Sequence, residues 1–128
     1  MRILSLLTLA VVSAITVAAP ASAARLICEY SARLSSQDHF NSNGERLDSV
    51  AAIIRQDRYY FHVQGAGDAE DEDDCFFGSK SNRELLERMV SRGRIDAAAR
   101  RAIVNGTPMI RVRIYRDNIG DYCVVAVF

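Results

Sequence analysis

The first twenty-three residues constrain everything that follows them. Met1-Arg2 is a short positive start, and Ile3 to Ala19 is a charge-free apolar run. Pro20-Ala21-Ser22-Ala23 then closes on the small-x-small pattern that a signal peptidase reads. The chain therefore divides into a cleavable secretory leader, residues 1–23, and one globular domain, residues 24–128, released without an anchor. A retained membrane helix needs about 20 apolar residues. This run is shorter and ends at the helix-breaking Pro20. Cys28 follows Arg25-Leu26-Ile27 rather than the small residues that precede a lipid-modified cysteine. Fifteen Arg against the single Lys80 fit a GC-rich bacterial genome, so the expected location is the periplasm or the medium.

Export sets the redox environment, and the domain carries Cys28, Cys75 and Cys123. In an oxidising compartment two of the three are expected to pair. Cys28 lies on the apolar side of its segment and Cys123 in the C-terminal apolar run, which favours a Cys28–Cys123 bridge. Cys75 directly follows Asp73 and Asp74, whose carboxylates disfavour a reactive thiolate. It is then the odd thiol, with a covalent dimer through Cys75 as the alternative.

The periodicities predict a small α+β domain. Arg25 to Leu34 alternates apolar and polar residues as a half-buried strand does. After a Ser- and Asn-rich loop, Ser42 with Glu45 fits a capping box, and the helix it opens runs to about His62. Gly65 to Gly78 is a loop. Ser81 with Glu84 fits a second capping box for a helix stopping at Gly93, and Asp96 caps a third through Val104. Ile110, Val112 and Ile114 alternate with Arg111, Arg113 and Tyr115. Asp117 to Gly120 then turns, and Tyr122 to Phe128 returns as a hairpin partner. This reading packs about three antiparallel strands against about three helices, with the nearly all-apolar last strand at the centre of the sheet or covered on both faces.

Charge is the remaining signal. The domain is acidic up to Ser79, with five Arg against eleven acids. It is basic from Lys80 to Arg116, with ten cations against three acids. Asp68, Glu70, Asp71, Glu72, Asp73 and Asp74 crowd six carboxylates into seven residues. They form either a solvated loop or a cation site, although the spacing is not that of an EF-hand, because no internal Gly and no late bidentate Glu follow. Phe76 and Phe77 come next, and an acidic loop tipped with exposed aromatics would suit docking into a basic cleft. Arg92, Arg94, Arg100 and Arg101 are the candidate basic surface for an acidic or anionic partner. Nucleic acid is disfavoured, since the basic half holds few aromatics on which bases could stack.

No catalytic or cofactor motif is present. His39 and His62 lack metal-ligand spacing, there is no G-x-S-x-G, and Lys80 reads as an exposed residue at a helix start. The chain thus reads as an exported, non-catalytic binding or interaction protein. The alternative is a Ca2+ or other cation-binding domain built on Asp68 to Asp74. A second alternative is a small enzyme of unidentified class, requiring His39, His62, Lys80 or a carboxylate pair to converge.

Overall fold

The computed structural model describes residues 23–128, together with residues 15 and 16. The leader expected at residues 1–23 lies almost wholly outside the described residues. The domain is a three-stranded antiparallel sheet with four helices, as the α+β reading expects. Strand β1 (Arg25–Arg33) is followed by a 3-10 turn (Ser36–His39), helix α1 (Val50–Tyr59) and a π turn (Tyr60–Gln64). Helices α2 (Lys80–Glu84), α3 (Leu86–Arg92) and α4 (Ala97–Asn105) precede strands β2 (Met109–Arg116) and β3 (Asp121–Val127).

Strand alternation creates the core. Cys28, Tyr30 and Ala32 of β1, Ile110, Val112 and Ile114 of β2, and Cys123 and Val125 of β3 are all buried on one side. Ile53 and Ile54 of α1, Leu86 and Met89 of α3, and Ile103 of α4 close over them, with Phe77 in the same cluster. The other side of the sheet stays largely polar, with Glu29 against Arg113 and a stacked Tyr115–Tyr122 pair.

The strand order is β1-β2-β3, which corrects the expected place of the last strand. The hairpin puts β3 on one side of β2 and β1 takes the other, so the central strand is β2. Tyr30 pairs with Val112, and Val112 with Val125. The edge of β3 is not left open. Arg94 donates its N–H to the Cys123 carbonyl and accepts from Val125, at 3.1 and 2.9 Å. Gly93 makes that approach possible, because a Cβ there would lie 1.5 Å from the Cys123 carbonyl oxygen. The acidic loop covers the opposite edge. Glu72 donates to the Ser31 carbonyl and the Arg33 N–H donates to Asp71, which blunts an edge that would otherwise invite pairing.

Two helix starts differ from expectation. Helix α1 opens at Ser49, whose hydroxyl accepts from the Ala52 N–H at 3.2 Å, and not at Ser42. The Asn41 side chain instead accepts from the N–H groups of Asn43 and Glu45, closing a local turn with the donors a helix would need. Helix α2 is capped by Ser79 rather than Ser81, and Leu85 separates it from α3. Asp96 caps α4 as its position predicts, accepting from the Ala99 N–H at 2.6 Å. The run beyond α1 does stay helical through His62 but widens into the π turn, which Gly65 ends with φ +60°.

The disulfide joins Cys28 to Cys75, with Cα atoms 6.0 Å apart, and Cys123 is a buried free thiol. The expected Cys28–Cys123 bridge is sterically excluded by the sheet. Cys28 pairs with Ile114 and Ile114 with Cys123, so a whole strand lies between them. Two inter-strand spacings amount to about 10 Å, beyond the roughly 7 Å a disulfide tolerates between Cα atoms. Cys75 is engaged within its own chain, which weighs against a covalent dimer. Among the described residues no helix is long and apolar enough to cross a membrane.

Candidate functional site

The acidic loop is organised by one buried cation. In α1, residues Val50, Ile54 and Arg58 recur every four positions, so Arg58 sits on the apolar stripe and its side chain is 0% exposed. Its Nε donates to Asp57 at 2.8 Å, and its Nη1 donates to Asp74 at 3.0 Å and to the Glu72 carbonyl at 2.9 Å. Nη2 lies 3.8 Å from Asp71. The guanidinium also faces the rings of Tyr30 at 4.3 Å and Phe61 at 4.6 Å, where ring quadrupoles favour a cation. Three carboxylates and two aromatic rings thus surround one guanidinium.

Asp74 is saturated. One oxygen accepts from the N–H groups of Phe76 and Phe77, and the other from Arg58 and from His62 Nε2 at 2.6 Å. Burial alone would raise its pKa. The hydrogen bonds from Phe77, His62, Phe76 and Arg58 outweigh that and hold it below the ordinary carboxylate value. Asp71 takes the Arg33 N–H on one oxygen and the Asp68 N–H on the other. The loop is therefore a folded-in element, with Glu70, Glu72 and Asp73 remaining exposed.

A second carboxylate group lies on the far side of Asp57. Asp38, Asp57 and Asp68 each offer an oxygen, all within 4.8 Å of one another. Asp38 and Asp57 are each 1% exposed. Asp38 accepts from the Ser35 N–H and hydroxyl through one oxygen, and Asp57 from Arg58 through one. In all three residues one buried oxygen has no partner. Burial pushes the Asp57 carboxyl up to about 8. The Arg58 charge opposes this, and Asp71 and Asp38 add to it. Burial likewise pushes Asp38 up to about 6, with the Ser35 N–H opposing and Asp68 adding to the rise.

A pH prediction follows for the metal-free protein. Between about 4 and 8 the folded domain retains protons on Asp57 and Asp38 that the unfolded chain has released. Stability should therefore fall as pH rises through that window, and urea midpoints in EDTA should be higher at pH 5 than at pH 8. Equal midpoints would mean that these carboxylates are ionised in the folded state.

A separate cleft lies between α1 and α2. It has a volume of about 360 Å³ and is bordered by Arg55, Gln56, Tyr59, Lys80 and Arg83 with the Asn41-Ser42 turn. Arg83 is buried, and its guanidinium is fixed by the Phe77 and Gly78 carbonyls at 2.9 and 3.1 Å. Arg55 and Lys80 contact Glu84 only at 3.8 Å each. The Gln56 side-chain amide nitrogen is buried without an acceptor.

Several sequence-predicted residues are placed differently from expectation. Phe76 and Phe77 belong to the core, meeting edge-on at 5.1 Å, so the exposed aromatic tip does not exist. Asp74 holds both of their N–H groups, which turns the rings inward. Arg92 pairs with Asp117 at 2.9 Å and covers the Tyr122 ring, while Arg94 bridges to β3. The Arg94 side chain is exposed, as are Arg100 and Arg101 on α4. His39 is buried, its ring nitrogens 2.9 Å from the Ser35 carbonyl and 2.7 Å from that of Ile103. His39 and Lys80 line different clefts, and His62 is bonded to Asp74. Sequence reading missed Arg58, Asp57 and Asp38. The available signal was a charged Asp57-Arg58 pair on the apolar face of a helix. No protein-family model, curated protein or solved structure matches the chain.

Proposed function

We propose that this is an exported, non-catalytic binding protein that holds a small anionic ligand in the cleft between α1 and α2. The observation that carries this reading is the convergence of Arg55, Lys80 and Arg83 on one concavity. Three cations match the acceptor oxygens of a carboxylate or phosphate group, and a pre-fixed guanidinium lowers the ordering cost of binding. The leader motif and the intramolecular disulfide support a periplasmic or secreted site of action.

The test is calorimetric titration with inorganic phosphate and with citrate at fixed ionic strength, on the parent and on an Arg55→Ala/Lys80→Ala variant. Lys80 is 80% exposed and Arg55 half-exposed, so the variant should fold normally. One of the two anions is expected to bind, and the variant should bind it at least about tenfold more weakly. Absence of binding by both anions, or unchanged affinity in the variant, overturns the reading.

A further inference from the structure

We propose that Asp38, Asp57 and Asp68 form a binding site for a divalent, oxygen-seeking cation of the Ca2+ type, distinct from the anion cleft. Acidic residues often cluster without binding anything, and the two acidic groups of this domain behave differently. Both oxygens of Asp74 are occupied by N–H donors, Arg58 or His62, so a cation at Asp74 would have to displace existing bonds. Around Asp57 the opposite holds. Asp38, Asp57 and Asp68 each keep a buried oxygen with nothing to accept from, and buried acceptors are rarely left so.

Distances fit a large hard cation. Ca2+ takes oxygen ligands at about 2.3–2.6 Å, so two ligands on opposite sides of the ion stand about 5 Å apart. One carboxylate oxygen from each of Asp38, Asp57 and Asp68 lies within 4.8 Å of those of the other two. The group contains no sulfur or imidazole ligand, which disfavours softer metals. Charge points the same way. Arg58 is already shared among Asp57, Asp71 and Asp74, so it cannot also balance Asp38 and Asp68. Two residues of the trio are inaccessible, whereas Asp68 is half-buried and marks the side of entry.

The ligands come from three places in the chain: the 3-10 turn after β1, the buried face of α1, and the start of the acidic loop. A bound ion would tie them together. It would draw on only one of the six clustered acids, Asp68, and not on the exposed Asp73.

The experiment is titration of the purified protein with CaCl2, followed by calorimetry and by thermal melts against EDTA at matched ionic strength. One Ca2+ per chain is expected, with saturation raising the midpoint by about 10 °C or more. Asp68→Asn, which keeps shape and removes charge, should weaken Ca2+ binding at least about tenfold while the metal-free protein melts no lower. Asp57→Asn should lose the Ca2+ response as well, and Asp73→Asn, at a position 82% exposed, should keep it. A midpoint indifferent to Ca2+ overturns the proposal and leaves protons as what neutralises the trio. Binding that survives Asp68→Asn but is lost in Asp73→Asn also overturns it, by moving the ion to the exposed part of the loop.

Discussion

Arg58→Met is expected to destabilise the domain by about 4 kcal/mol, because removing one partner of a buried ion pair leaves the other charges uncompensated. The methionine fills a similar volume and can lie against Tyr30 and Phe61, so packing loss is small. What is lost is the guanidinium facing Asp57, Asp71 and Asp74, together with its donors to Asp74 and to the Glu72 carbonyl. In a domain of this size such a loss should lower the melting midpoint by about 15 °C or more. The comparison variant is Arg113→Met, whose pairing with Glu29 is solvent-exposed and whose midpoint should barely move. Chemical denaturation of both variants decides the matter. A loss below about 1 kcal/mol for Arg58→Met would mean that water already screens the cluster.

The second large effect is expected from the disulfide. Cys28 and Cys75 are separated by 47 positions, and closing a loop of that length restricts the unfolded chain by about 4 kcal/mol in the entropy description. A Cys28→Ala/Cys75→Ala variant should lose about that much stability, and more if the acidic loop lifts from β1. Melts of the variant and of the parent in reductant should then agree. Cys123 supplies an internal check. Burial, aided by Asp121, pushes its thiol up to about 12, so a thiol reagent should not modify it until the protein unfolds. Rapid labelling of one thiol in the native parent would contradict the observed pairing, as would a disulfide-linked dimer on a non-reducing gel.

These two effects share an origin. The disulfide and Arg58 tie the acidic segment to two elements, Cys75 to β1 and Asp71 with Asp74 to α1. The segment is therefore folded against the domain, with Asp71 and Asp74 inward and Glu70, Glu72 and Asp73 outward, in spite of the repulsion among its carboxylates. Local sequence reads this stretch as a solvated loop because neither clamp lies within it. Arg58 is ten residues before Asp68, and Cys28 is forty before it.

The sequence by itself determined the parts whose physics is local. Alternation over Arg25–Arg33 and Met109–Arg116 requires strands with one buried face, the Asp117–Gly120 turn requires a hairpin, and Asp96 starts a helix through a bond three residues away. Those rules act within a few residues, so the α+β class was legible. The tertiary structure decided what depends on distances between elements. It decided which cysteine faces Cys28, which strand is central, where Phe76 and Phe77 point, and that Asp38, Asp57 and Asp68 meet. The sheet's spacing separates Cys28 from Cys123, and no local pattern encodes that interval. Likewise, a carboxylate's partners are set by the elements packed against it, so whether an acid is solvated, saturated or left with a free oxygen emerges only after the chain has folded.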